Sequence, residues 1–176
     1  MNTKMLSTGV IITLALLPVL WVAIHYRGLE VVEGLVEGGF AVPQISADSL
    51  YAALTSPGAP EYLLFDVRTE AEYRVSHLPS AIRVDPDMSG EEFLKQFGDS
   101  LSGKRAVFYC SVGVRSSALL SRVLKASGDP SPFSAANLRG GIFRWFNRGY
   151  PLVNAAGPTD AVHPYNFWWK QLVRKP

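Results

Sequence analysis

The stretch Ala106-Val107-Phe108-Tyr109-Cys110-Ser111-Val112-Gly113-Val114-Arg115-Ser116-Ser117 determines the fold of this 176-residue chain. Its first half is a short apolar run of β-branched and aromatic residues, which predicts a buried strand. From Ser116 to Ser127 the pattern turns helical, and Gly128 stands where a C-cap glycine belongs. Between strand and helix lies a loop of small residues that opens with Cys110, the only cysteine in the chain.

Such a loop has chemical consequences. Gly113 permits a tight turn, with positive φ if required. A loop feeding a helix N-terminus aims unpaired N–H groups inward, and the helix dipole adds positive potential. A nest of this kind holds anions, including the thiolate that is the reactive form of cysteine. Arg115 adds a fixed positive charge at the rim. A lone cysteine is by default a small buried hydrophobe. The order strand–Cys–Gly–Arg–helix points instead to a reactive one.

With these residues in view, Cys110-Ser111-Val112-Gly113-Val114-Arg115-Ser116 resembles the active-site loop of the rhodanese sulfurtransferases, Cys-x-x-Gly-x-Arg-Ser. Leu64-Phe65-Asp66-Val67-Arg68, with Glu72-Tyr73 and His77-Leu78-Pro79-Ser80-Ala81, is similar to the family's first signature. Asn137-Leu138-Arg139-Gly140-Gly141, then Trp145, Gly149 and Pro151, is similar to its closing signature. The resemblance spans about residues 45–153. It implies an α/β domain with a parallel sheet covered by helices on both faces. It also implies a ping-pong sulfurtransferase in which Cys110 takes a sulfane sulfur from a donor such as thiosulfate. The resulting persulfide is then discharged to cyanide or another thiol. Ser111, Val112, Gly113, Val114, Arg115 and Ser116 would form the substrate-binding loop, their N–H groups stabilising thiolate and persulfide. By the same resemblance Asp66, Arg68 and His77 are structural supports, and Arg115 is a brace with Asp66 as candidate partner. Ser116 and Ser117 are expected to help cap the helix, and Phe143 and Trp145 to lie in the core.

Alternation of strand and helix signals outside the motifs independently predicts a parallel sheet. Ser46 is a candidate N-cap, with strands expected over 62–67, 81–84 and 134–138. Thr69-Glu70-Ala71-Glu72 and Ser89-Gly90-Glu91-Glu92 are capping boxes. No internal repeat appears, so one such domain is expected.

Ahead of it, residues 6–24 carry no charge over nineteen positions. At about 1.5 Å per residue this nearly spans a hydrocarbon core of roughly 30 Å. Trp21, His25 and Tyr26 fall where an interfacial belt would sit. A cleaved signal peptide is the rival, but no small-x-small site follows closely. The expectation is a single-pass transmembrane anchor over 1–27, a linker over 28–44 (with extension of the helix through Leu29 to Val36 as a short stalk the alternative), the domain over 45–153 and an extension over 154–176. A margin of about one basic charge favours the domain on the non-cytoplasmic side. In the tail, Phe167, Trp168 and Leu172 are expected to pack back as a closing helix. The alternative sets the tryptophans and Lys170, Arg174 and Lys175 against anionic lipid.

Composition excludes other classes. A net charge of +2 is too small to suggest a nucleic-acid partner. There is no Cys-x-x-Cys pair, His cluster or Gly-x-Gly-x-x-Gly, hence no sequence case for a metal or a dinucleotide cofactor. The partners implied are a small-molecule or protein sulfur donor and acceptor. Related Cys-dependent phosphatases and arsenate reductases have a loop one residue longer between Cys and Arg, wide enough for a tetrahedral oxyanion. Here four residues intervene. A non-enzymatic membrane-tethered interaction module is the remaining alternative.

Overall fold

The computed structural model describes residues 28–128, 130–167 and 169–174. Residues 28–39 are helical (α1). There follow β1 (Gln44–Ile45), α2 (Ala47–Thr55), β2 (Tyr62–Asp66), α3 (Glu70–Val75), β3 (Ile82–Arg83) and α4 (Gly90–Phe97). Then come β4 (Arg105–Tyr109), α5 (Val114–Ser127), β5 (Ser134–Leu138) and α6 (Gly141–Asn147). The described chain closes with a hairpin of β6 (Leu152–Asn154) and β7 (Gly157–Thr159), and a 3-10 turn at Trp169–Leu172.

The five-stranded sheet has the order β1-β5-β4-β2-β3, and every pairing in it is parallel. Its central strands sort their side chains with the period of two that a pleat imposes. Val107 and Tyr109 of β4 join Leu64, Leu138, Leu50, Phe143 and Trp145 in a cluster under α2 and α6. Ala106, Phe108 and Cys110 face the other way, with Phe65, Val67, Phe93, Leu119, Leu120 and Val123 under α4 and α5. The pattern in β4 therefore already directs Cys110 toward the α5 face.

Local chemistry fixes the helix starts. Ser46 caps α2 by accepting from Ser49 N, and full capping boxes open α3 at Thr69 and α4 at Ser89. The strand expected over 81–84 is only two residues long, Ile82–Arg83.

In the glycine-containing stretch 28–44, the helical alternative over 29–36 is the one seen, but it does not stand off the domain as a stalk. Over 28–39 it is a helix docked on the domain, despite Gly34, Gly38 and Gly39, each of which costs a helix about 1 kcal/mol. Tertiary contact overrides that cost. Leu29, Glu33 and Val36 recur at helical spacing and are all buried, while those three glycines face open space.

The tail also packs back, through the anticipated Leu172 but with Trp169 and Val173 beside it. All three pack on the α2/α6 cluster. Asn147 Nδ2 donates to Leu172 O at 2.8 Å, and Arg174 N donates to Asn147 Oδ1 at 2.7 Å. Phe167 is 77 % exposed, and Trp168 lies outside the described residues, as does the uncharged segment 6–24. No described helix is long and apolar enough to cross a membrane.

Candidate active site

The site is assembled at the C-terminal edge of the sheet, where β4 runs out. Cys110 is 1 % exposed, and its Sγ accepts a hydrogen bond from Gly113 N at 3.2 Å. Gly113 makes this turn with φ of 106°, a left-handed conformation that suits glycine, and serves as the N-cap of α5. A side chain here would also press on Asn137, its Cβ 3.1 Å from Nδ2. Ser116 and Ser117 do not cap the helix, because Gly113 already occupies that position. Ser116 instead donates to Asn137 Oδ1 at 2.6 Å, and Asn137 Nδ2 donates to Gln44 Oε1 at 2.8 Å. This chain of bonds ties α5 to β5 and β1. Ser117 is buried.

The first two carbonyls of the loop are held by α6. Ile142 N donates to Cys110 O at 2.9 Å and Phe143 N to Ser111 O at 3.1 Å. That close approach requires Gly141, which has φ of 54°, and whose Cβ, if present, would collide with Cys110 O. The first N–H groups of a helix have no intrahelical partner. Here two of them fix the loop that carries the cysteine.

The charges are paired otherwise than expected. Arg115 is not braced by Asp66 but by Glu72. Nη1 and Nη2 donate to the two carboxylate oxygens at 2.8 and 2.7 Å, a bidentate geometry. Ser111 Oγ lies between them, donating to Glu72 Oε1 and accepting from Arg115 Nη2, both at 2.9 Å. Glu72 is 2 % exposed. Burial alone would push its pKa up, but the hydrogen bonds and charge of Arg115, with those from Thr69, prevail and hold it at about 2. Burial likewise opposes the Arg115 charge, and the bonds to Glu72 outweigh it and raise its pKa. On its outer side Arg115 meets the tail, with Cζ 4.8 Å from the Tyr165 ring centroid. Tyr165 has φ of 64°, an uncommon conformation for a bulky residue.

Asp66 and Arg68 form a separate buried unit beneath the site. Arg68 Nε and Nη2 each donate to Asp66 at 2.7 Å, and Nη2 also donates to Ser76 O. Tyr109 Oη donates to Asp66 at 2.8 Å and accepts from Leu78 N. Burial, then the Asp66 charge, raises the pKa of Tyr109 well above its ordinary value. This network ties β2, β4 and the segment after α3 together. His77 belongs to the same scaffold. Its ring stacks on Tyr73 at 3.9 Å with Nδ1 3.1 Å from Tyr73 O, and its backbone pairs with Val153. Phe143 and Trp145 are buried, and Trp145 Nε1 donates to Pro151 O.

Of the expected loop residues 110 to 116, Gly113 donates to the sulfur, Ser111 and Arg115 join Glu72, and Ser116 bonds to Asn137. Sequence reasoning did not assign Glu72, Asn137 and Gly141 to the loop. A signal existed for Glu72, because a capping-box carboxylate has acceptor capacity beyond the cap, and Arg115 needed a partner. Nothing in spacing alone could have placed Asn137. Among the described residues, no group of three or more His, Cys, Asp or Glu could hold a metal ion.

A family model described as the rhodanese-like domain matches residues 46–148, more than half of the chain. Solved structures agree on the fold. A thiosulfate sulfurtransferase from Pseudomonas aeruginosa is 22 % identical with a TM-score of 0.56, over 80 % of this chain and 25 % of that one. A rhodanese-like domain from Anabaena sp. is 22 % identical with a TM-score of 0.51, over 71 % and 90 % of the two chains. A protein of unknown function from Rhodopseudomonas palustris, described as a possible tyrosine phosphatase, is 23 % identical with a TM-score of 0.52, over 72 % and 94 %. No curated protein matches the chain in sequence.

Proposed function

The chain belongs to the rhodanese-like domain family, and on that premise we propose that it is a sulfurtransferase working through a persulfide on Cys110. The observation that carries this reading is the Gly113 N–H donating to Cys110 Sγ. A donor aimed at this sulfur stabilises negative charge on it, and the same charge is present on the thiolate before transfer. The Cys110 thiolate attacks the outer sulfur of a donor such as thiosulfate. A bond forms between the two sulfurs, the donor's S–S bond breaks, and sulfite leaves with the electron pair. An acceptor such as cyanide, or another thiolate, then attacks the terminal sulfur of the persulfide and releases the Cys110 thiolate. Pairing Arg115 with Glu72 fixes the loop shape throughout. Four residues between Cys110 and Arg115 suit a single sulfur better than a phosphate.

The uncharged segment 6–24 would tether the domain to a membrane as a single-pass anchor, with the domain on the non-cytoplasmic side. Donor and acceptor would then include proteins at the same surface. Thiosulfate treatment of the purified chain followed by mass spectrometry should find one added sulfur on Cys110. Cys110→Ser should remove both this adduct and thiosulfate:cyanide turnover with the fold retained. Turnover surviving in the Ser variant would exclude the mechanism. Fractionation tests the anchor, since release from membranes by high salt alone would contradict it.

A further inference from the structure

We propose that α1 is a strap across the Cys110 loop, and that it must lift before the sulfur can react. Cys110 lines none of four surface cavities of about 280–580 Å³ formed among the described residues. The thiol is 1 % exposed, although both halves of a ping-pong transfer require a donor or acceptor to touch it. The face of α1 that is buried lies against the parts of the site that matter most. A Cβ on Gly113 would sit 3.6 Å from Val36 Cγ1, so Val36 rests on the residue whose N–H points at the sulfur. The Glu33 carboxylate lies against Gly140, at the start of the helix that holds the Cys110 and Ser111 carbonyls. Beyond α1, Phe40 and Val42 continue into the cluster that contains Cys110.

Charge helps to fasten the strap. Glu33 pairs with Arg144 at 2.7 Å and Arg139 at 3.5 Å, Glu37 with Arg139 at 3.0 Å, and Glu30 with Arg144 at 3.4 Å. Its apolar contact comes from Leu29, Val36 and the partly buried Val32. Leu29 and Val36 are buried, whereas Val31 and Leu35 are 54 % and 71 % exposed. Glu30, Glu37 and Arg139 are exposed. Pairs of this kind weaken as salt screens them. An element with few buried apolar contacts also opens at lower cost than the core. The strap therefore has two positions, and the ion pairs to Arg139 and Arg144 set their balance.

The proposal rests on Cys110 as the sulfur carrier, and its test separates the two ideas. Alkylation by neutral iodoacetamide reads access to the thiol whether or not the protein transfers sulfur. Cys110 is the only cysteine, so the full chain in detergent reports on this one position. Glu33→Gln with Glu37→Gln should raise the alkylation rate roughly tenfold, in proportion to the open population. High salt should accelerate the native chain in the same direction. Should the double variant fold poorly, Glu37→Gln alone addresses an exposed pair. Equal rates in the native chain, in Glu37→Gln and at low and high salt would overturn the strap.

Discussion

Replacing Glu72 by Gln keeps the side-chain volume but removes the charge that braces the Cys110 loop. Two short hydrogen bonds from Arg115 and one from Ser111 depend on that carboxylate. Two routes lead to the magnitude. Removing one partner of a buried pair costs about 3–5 kcal/mol, and the lower end applies because the Arg115 side chain is 22 % exposed. Independently, the fall of the Glu72 pKa from 4.5 to about 2 corresponds to roughly 3 kcal/mol. Since the folded pKa is the lower one, this stability is present in full above about pH 4.5 and is lost as pH falls toward 2. Glu72→Gln should therefore lower stability by roughly 3 kcal/mol at pH 7, or about 6–12 °C in melting temperature. The gap between native and variant should narrow steadily below pH 4.5, because acid removes from the native chain what the substitution has removed already. Thermal melts followed by tryptophan fluorescence between pH 7 and pH 2.5 measure both. An equal melting temperature at pH 7, or a gap unchanged at pH 2.5, would show that Glu72 is not the brace.

Four further outcomes are expected. Gly141→Ala, with φ of 54° and Cys110 O in the way, should cost roughly 2–4 kcal/mol and reduce persulfide formation, measured by melting and by mass spectrometry. Gly90→Ala drives a Cβ against the backbone of Arg122; it should lower the melting temperature by separating α4 from α5 while leaving the alkylation rate of Cys110 unchanged. Deleting the residues after Asp160 should lower the melting temperature, because Trp169, Leu172 and Val173 pack on the α2/α6 cluster. The native chain should not hydrolyse para-nitrophenyl phosphate; hydrolysis that disappears in Cys110→Ser would show that loop length was a poor guide to chemistry.

The local features were the legible ones. The two capping boxes, the Ser46 cap and the turn at Gly113 each follow from a few adjacent residues, and alternation in β4 was enough to face Cys110 toward α5. Pairings between distant residues were not legible. Asp66 and Glu72 are both carboxylates close to the β2–α3 turn, and no spacing rule says which one reaches Arg115. The choice turns on which acid Tyr109 and Arg68 already claim in three dimensions. Helix α1 was obscured for a related reason. Its glycines argue for a linker and its apolar residues for a free-standing stalk, and only the buried positions at Leu29, Glu33 and Val36 reveal that a basic surface awaits it across more than a hundred residues.

That separation has a consequence during synthesis. Glu33 and its partner Arg144 are 111 positions apart, and Gln44 of β1 bonds to Asn137 at a distance of 93. Translation proceeds at about 5–20 residues per second, so Glu33 is synthesised roughly 6–22 s before Arg144. Strands β2 and β4 can pair earlier, around the order β4-β2-β3. For that interval the edge of β4 that later receives β5 stands open, and the N-terminal segment has nothing to close upon. A nascent chain would thus be at its most exposed with α5 finished and α6 still unmade, and the closing events come together at the end, when β5 is inserted between β4 and β1.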